Sequence, residues 1–157
     1  MNLRQNEKLV ATVRQHWLAI SSAVSVLVGV AILLVVAMLY FRSIFFGYGW
    51  EISIFILLAT TAYLFYKIFI WRRNELIITS ERIINNEQRG IFSRTVTELL
   101  YHDITDVSYS QSGITEATYN FGTIKIRLPS NTEVVVEKIP KPGEVIELIN
   151  KIRVTFK

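Results

Sequence analysis

The chain has 157 residues, of which 51% are hydrophobic, and it carries 17 basic and 13 acidic side chains. It contains no cysteine and only two histidines, which excludes disulfide frameworks, thiolate metal sites, cysteine nucleophiles and multi-histidine metal centres. The apolar residues are concentrated, since residues 18–41 include no charged side chain, and this distribution indicates a membrane protein rather than a soluble globular one.

The charge is also unevenly distributed along the chain. Residues 1–73 carry seven basic and two acidic side chains, whereas residues 74–157 carry ten basic and eleven acidic ones. The first part therefore has a net charge of +5 and the second part a net charge of −1. Nucleic-acid binding requires a concentrated cationic surface, so we expect no nucleic-acid partner.

Two segments are long and apolar enough to be transmembrane helices. A bilayer core of about 30 Å needs roughly 20 apolar residues in a helix, and residues 18–41 meet this requirement directly. Residues 50–71 meet it if Glu51 and Lys67 lie near the two interfaces. A secretory signal is the alternative for the first segment, but its apolar stretch is too long and no cleavage pattern follows it.

The basic residues predict the orientation of this helical hairpin. They precede the first span and follow the second, whereas the loop at residues 42–49 holds only Arg42 and turns through Gly47 and Gly49. The positive-inside rule then places both termini in the cytoplasm and predicts a multi-pass protein of the cell (inner, cytoplasmic) membrane. The predicted order is a cytoplasmic N-terminal segment (1–17), a first span (18–41), an external loop (42–49), a second span (50–71) and a cytoplasmic domain (72–157).

The cytoplasmic part has the two-residue periodicity of short β-strands. Turn residues separate its β-rich runs, and Gly90 is expected to take a positive φ in one such turn. Gly122 is expected to be a second structural glycine, at the start of the most regular strand. The pattern predicts a small antiparallel barrel or sandwich with strands at 75–79, 82–86, 91–100, 104–109, 123–128 and 133–138.

The last element is predicted to be an amphipathic helix that begins near Pro142. Apolar residues follow at helical spacing, at Val145, Leu148, Ile149 and Ile152. Packing on an open end of the barrel is favoured over membrane binding, because glutamates accompany the basic residues on its flanks.

The order of these segments resembles a known family. Residues 74–84 resemble the opening of the bacterial pleckstrin-homology domain of the second type, formerly a domain of unknown function. The similarity continues through Gly90, residues 104–107, Gln111, residues 121–124 and Pro140, and covers residues 72–153. The preceding hairpin, with His16 and Trp17 at its entrance, is similar to YdbS-like two-helix membrane proteins.

This resemblance implies a fold and a lack of chemical activity. The implied fold is a two-helix transmembrane hairpin, then a small antiparallel β-barrel or sandwich of pleckstrin-homology type capped by a C-terminal α-helix. One departure is that eukaryotic domains of this type carry a tryptophan in that helix, whereas no tryptophan follows Trp71 here.

One cluster of titratable residues could suggest catalysis. His102, Asp103 and Asp106 lie within five positions, but they would form an incomplete metal site without a nearby nucleophile. The sequence also lacks a glycine-rich phosphate loop and a nucleophile elbow. We therefore expect a protein that is not an enzyme, with no catalytic, cofactor-binding or metal-binding residues.

Two non-enzymatic functions remain open. The first is a membrane-tethered module that binds a protein partner, or a second copy of itself, through a strand edge or loop. The alternative is recognition of anionic lipid headgroups through Arg82, Arg89 and Arg94. Glutamates are interleaved with these arginines, which favours the protein partner, and an ion pair of Arg82 with Glu81, Glu98 or another carboxylate is the simpler interpretation of that residue.

Overall fold

The computed structural model describes residues 7–40 and 49–155. These residues form two compact units. One comprises residues 17–40 and 49–71, and the other combines residues 7–16 with residues 72–155. All but Gly49 of the predicted external loop lies outside the described residues.

The first unit consists of two long apolar helices. A 3-10 turn at Trp17–Ile20 leads into α1 (Ser21–Tyr40), and α2 follows at Trp50–Arg73. The two helical segments, Trp17–Tyr40 and Trp50–Arg73, are each 24 residues long. At 1.5 Å per residue each measures about 36 Å, which is long enough to cross a bilayer. The two predicted helices are therefore present.

The second unit contains two antiparallel sheets and a C-terminal helix. The first sheet has the order β1–β2–β3–β4 and the second β5–β6–β7. The first sheet comprises β1 (Leu9–Arg14), β2 (Glu75–Thr79), β3 (Arg82–Gln88) and β4 (Arg94–Leu100). A 3-10 turn (Tyr101–Asp103) leads to β5 (Asp106–Ser110), α3 (Gly113–Thr118), β6 (Phe121–Arg127), β7 (Glu133–Pro140) and α4 (Pro142–Thr155).

The first strand was not predicted from the sequence. β1 lies within the N-terminal segment, yet it pairs with β2 from Leu9 opposite Thr79 to Arg14 opposite Glu75. Along the chain, both apolar helices therefore lie between β1 and β2, which are neighbouring strands of one sheet. The predicted domain boundary at residue 72 leaves out this edge strand.

The core lies between the inner faces of the two sheets and α4. Val145 and Ile149 of α4 are buried in it, and Leu148 and Ile152 pack against it, so the predicted apolar stripe covers the sheets as expected. The fully buried strand residues of this core are Leu76, Ile78, Ile83, Ile124, Ile126 and Ile139.

The two sheets form a sandwich rather than the closed barrel that was one of the predicted alternatives. Within the described residues, no strand ladder joins the first sheet to the second. The sheets approach each other where β1 ends. There the backbone N–H of His16 donates to the carbonyl of Lys138, 2.7 Å away. Next to this contact the inner faces diverge and leave a cleft.

The two glycines expected to be structural have different geometries. Gly90 lies in the β3–β4 turn, but the only described glycine with a positive φ is Gly113, at 84°, so the positive φ expected at Gly90 is wrong. Gly122 lies inside β6 rather than in a turn. A β-carbon at Gly122 would lie 2.6 Å from the carbonyl oxygen of Ser110, so only glycine permits this close backbone approach.

Candidate functional site

A cleft of about 490 Å³ lies between the two sheets of the second unit. Its walls come from β2, β3 and β4 on one side and from β7 on the other. Gln15 and Asn74, which adjoin the ends of β1 and β2, complete the lining. Most lining side chains are polar, in contrast to the apolar core beside them.

Asn85 presents an available amide inside this cleft. It lies in β3 opposite Thr97 of β4, and only 8% of its surface is exposed. Every buried side-chain nitrogen or oxygen of the described residues has a partner, so the Asn85 amide, which makes no hydrogen bond to these residues, is open to solvent in the cleft. The neighbouring Asn86, by contrast, donates to Glu75 at 3.2 Å and accepts from Arg94 at 3.0 Å. The Asn85 amide therefore offers donors and an acceptor to a molecule in the cleft.

The cleft carries a negative charge. Four glutamates and one arginine line it, namely Glu75, Glu87, Glu133, Glu137 and Arg89. The guanidinium of Arg89 pairs with Glu87 at 3.0 Å, and this hydrogen bond raises the pKa of Arg89. Glu133 lies 3.8 Å from Arg127, at the end of β6, but the lining still carries more acidic than basic groups. This excess disfavours phosphates and favours uncharged or basic groups.

Arg82, one of the three predicted contact residues, is buried in an ion-pair cluster. Its Nε and second terminal nitrogen donate to the two carboxylate oxygens of Glu7 at 2.9 and 3.0 Å. Its other terminal nitrogen donates to Glu98, so the predicted ion pair with that residue is confirmed. Hydrogen bonding to Glu7 is the main cause that raises the pKa of Arg82, although burial acts in the opposite direction.

The three arginines therefore do not converge on one site. Arg82 is only 5% exposed and is occupied by carboxylates. Arg89 is paired with Glu87, and exposed Arg94 donates to the side-chain oxygen of Asn86. Sequence reasoning missed Glu7 because it lies 75 positions before Arg82 in the chain, with both apolar helices between them.

The cluster of His102, Asp103 and Asp106 is exposed. Nε2 of His102 lies 3.1 Å from a carboxylate oxygen of Asp103, and both side chains are more than half exposed. Within the described ranges, no group of three or more His, Asp or Glu side chains is placed to hold a metal ion. The adjacent Tyr101 donates to the carbonyl of Thr79 at 2.8 Å, and burial raises its pKa to about 12.

His16 lies where the two sheets meet. Its ring stacks on Phe121 with a centroid distance of 4.9 Å and an interplanar angle of 14°. Burial lowers the pKa of His16, so the neutral ring is the favoured form in this position. The stacking on Phe121 and the backbone hydrogen bond to Lys138 both connect the end of β1 to the second sheet.

Two packed antiparallel sheets covered by a C-terminal helix are typical of pleckstrin-homology-like domains. A family model described as "Bacterial PH domain" matches residues 9–153, from β1 to α4. The chain therefore belongs to the bacterial PH domain family. Domains of this class are generally interaction modules.

Among solved structures, the chain is similar to a duf1696 family protein with a pleckstrin-homology domain from Shewanella loihica PV-4. The two are 18% identical, with a TM-score of 0.40, and the match covers 55% of this chain and 72% of that chain. No curated protein matches the chain.

Proposed function

We propose that the protein is a membrane-anchored, non-enzymatic module whose pleckstrin-homology-like domain binds a protein partner, or a second copy of this chain, through the cleft between its sheets. The observation that carries this proposal is an acidic cleft between the sheets in which the Asn85 amide is open to solvent and makes no hydrogen bond to the described residues. A solvent-accessible amide offers two donors and an acceptor, so it suits a ligand that supplies both donors and acceptors. A peptide backbone is such a ligand.

Membrane anchoring is supported by the surfaces of the two helices. Large apolar side chains point outward, with Leu33 66% and Phe55 73% exposed. Within the apolar windows of the two helices, only 6% and 0% of residues are buried. Such surfaces are stable in contact with lipid, and the hydroxyls of Ser25 and Thr60 bond to carbonyls of their own helices.

The proposed orientation has both termini in the cytoplasm. Because β1 and β2 are paired in one sheet, the chain on either side of the two helices lies in the same compartment. The excess of basic residues at these ends favours the cytoplasmic side of the cell membrane. Anchored in this way, the domain needs no lipid affinity of its own to stay at the bilayer.

The charge of the cleft indicates the chemistry of the partner. Its glutamates attract lysine or arginine side chains, and its amide and threonine groups suit a peptide backbone. β4 and β7 border the cleft, and among the described residues each has a strand ladder on one side only. Gln15 and His16 already bond to the carbonyls of Glu137 and Lys138 in β7, so the edge of β4 is the better place for a bound segment to add as a strand. The preferred partner is thus an uncharged or basic extended segment.

Recognition of anionic lipid headgroups is the alternative function, and the arginines give it little support. Among the described residues, only Arg94 of the three predicted arginines has no carboxylate partner. A headgroup site needs several cations that converge on one phosphate. The protein partner is therefore the preferred proposal.

Site-specific photocrosslinking tests the proposal in native membranes. A photoreactive residue replaces Thr95, which lines the cleft, in the full-length chain. We expect discrete protein adducts, identified by mass spectrometry, which are strongly reduced when Glu133→Lys and Glu137→Lys reverse the charge of one wall. A photoreactive residue at exposed His102, at the other end of β4, should not give the same adducts.

A matched charge reversal separates the cleft from general electrostatics. Glu144→Lys with Glu147→Lys makes the same charge change on the exposed side of α4 and should leave the Thr95 adducts unchanged. Adducts formed only with lipid would contradict the proposal. So would lipid adducts at position 95 that persist at physiological salt and are lost when the exposed Arg89 and Arg94 are changed to Gln, with the buried Arg82 left in place.

A further inference from the structure

The turn between β3 and β4 exposes two apolar side chains. Phe92 is 99% exposed and Ile91 56%, the former being the most exposed large apolar side chain among the described residues. The turn is fixed by its own hydrogen bonds. The N–H of Arg89 donates to the carbonyl of Ser93 at 3.0 Å, and the Gln88 amide donates to the carbonyls of Gly90 and Ile91. The outward position of Phe92 is thus a defined feature of the turn.

This turn lies at the end of the sheet where the chain connects to the two apolar helices. Arg14, the last residue of β1, pairs with Glu75, and Glu75 pairs with Asn86 two residues before the turn. The adjoining connector residue Asn74 accepts a hydrogen bond from the N–H of Gln88 at 2.6 Å. Its own amide lies 3.4 Å from the side-chain oxygen of Gln15, the connector after β1. The two connectors and the base of the turn therefore form one hydrogen-bonded row.

Chain length limits how far this end can lie from the bilayer. Only Asn74 separates α2 from β2, so Arg73 and Glu75 are at most about 7 Å apart. β3 and β4 continue to the pair Gln88–Arg94, two residues beyond Asn86. At 3.4 Å per residue, the base of the turn extends about 7 Å past the start of β2. The tip at Phe92 projects further in the same direction.

We infer that the β3–β4 turn inserts Ile91 and Phe92 into the membrane interface and so fixes the orientation of the domain on the bilayer. This inference rests on the membrane anchoring proposed above. Aromatic side chains favour the interfacial region, and exposed Arg94 at the base of the turn lies at the level of the headgroups. The contact is apolar and does not require recognition of a particular lipid. It leaves the adjacent cleft open along the bilayer surface.

Spin-label accessibility tests this inference in the full-length chain reconstituted in phospholipid vesicles. The chain has no cysteine, so Ile91→Cys introduces a single labelling site and keeps Phe92 in place. A label in the bilayer is accessible to oxygen and protected from a water-soluble nickel chelate. We expect a several-fold higher ratio of oxygen to nickel accessibility for this label than for one at exposed His102→Cys, at the opposite end of β4. Adding Phe92→Gln should lower the ratio at position 91.

The other outcomes overturn the inference and identify the reason. A label at position 91 that is fully accessible to nickel means that the turn lies in water. A label protected from both reagents means that it is buried against protein, as in a complex of two copies. A label at Ile32→Cys, in α1, reports anchoring separately. If that label is also accessible to nickel, the membrane anchoring itself fails.

Discussion

At the scale of single residues, burial decides whether a charged side chain can meet a partner. Arg82 has the residue type expected of a headgroup contact, yet its guanidinium is held by Glu7 and Glu98 and is almost inaccessible. Sequence reasoning weighed an ion pair at this position but could not identify Glu7, the carboxylate that supplies most of the pairing. Arg94 has the same residue type and remains exposed.

Removal of Arg82 should destabilise the second unit. Arg82→Gln leaves the fully buried Glu7 carboxylate without its cation, so we expect a loss of about 3 kcal/mol in the free energy of unfolding. Urea-dependent pulse proteolysis of the full-length protein in detergent measures this loss. Arg89→Gln, which removes an exposed ion pair, is the matched control and should leave the unfolding curve unchanged. Equal curves for the two variants would contradict the buried cluster.

The two glycines should differ sharply in their tolerance of a methyl group. Gly122→Ala places a β-carbon 2.6 Å from the Ser110 carbonyl oxygen, and we expect a loss of about 1–3 kcal/mol from overpacking. Gly90→Ala meets only the β-carbon of Ser93, at 3.9 Å, and needs no positive φ, so stability should change by less than about 0.5 kcal/mol. Comparable losses at both positions would show that the strand contact at Gly122 is not specific.

His16 should make stability dependent on pH. Burial lowers its pKa below the ordinary value of 6.5, so below that pH the unfolded chain binds more protons than the folded one. The contribution of the neutral His16 ring to the free energy of unfolding is therefore complete above pH 6.5. It declines as the pH falls towards the pKa that His16 has in the folded protein. When the pH is lowered below 6.5, the melting temperature should drop less in His16→Phe, which keeps the stacking on Phe121, than in the original chain. His102→Gln, at the exposed histidine, should leave the dependence in place.

At the scale of elements, the sequence predicts those whose pattern is local. The C-terminal helix follows from the spacing of Val145 and Ile149, and the strands after residue 74 follow from alternation and turn residues. β1 could not be recognised in this way. Its six residues become a strand by pairing with β2, from which both apolar helices separate it along the chain. Long-range pairing of this kind leaves no local signal beyond a short alternation.

A soluble form of the domain should therefore require β1. Residues 72–157 alone lack both the edge strand and the Glu7 carboxylate of Arg82. We expect residues 7–16, joined to residues 72–157 by a flexible Gly-Ser linker, to unfold cooperatively on heating, as followed by circular dichroism. The segment 72–157 without β1 should aggregate or melt without a cooperative transition. Equal cooperativity in both would show that β1 contributes little to the unit.

At the scale of the whole molecule, the candidate site also depends on long-range structure. The polar residues of β3, β4 and β7 are unremarkable in sequence, because each lies in a strand with ordinary alternation. Their arrangement around one cleft follows from the way the two sheets diverge on one side. The position of Phe92 likewise cannot be read from the sequence alone. The register of β3 and β4 places it at the end of the sheet where the chain connects to the helices.

The pairing of β1 with β2 also constrains the topology. Strands cannot pair across a bilayer, so in the proposed membrane anchoring the segments on both sides of the two helices share a compartment. The proposal that this compartment is the cytoplasm rests on the distribution of basic residues alone. In intact cells, a membrane-impermeant maleimide should label Ser43→Cys in the loop. It should not label Ser130→Cys in the β6–β7 turn or Val10→Cys in β1 until the membrane is permeabilised.

The three labelling sites distinguish the two parts of this argument. Labelling of Ser130→Cys and Val10→Cys with protection of Ser43→Cys would reverse the orientation but preserve the paired strands. Labelling of Val10→Cys without Ser130→Cys would place β1 and the β6–β7 turn on opposite sides of the membrane, which contradicts their packing in one compact unit. The predicted labelling pattern therefore tests the positive-inside rule for this chain. Equal labelling at Val10→Cys and Ser130→Cys tests the packing of β1 with the rest of the second unit.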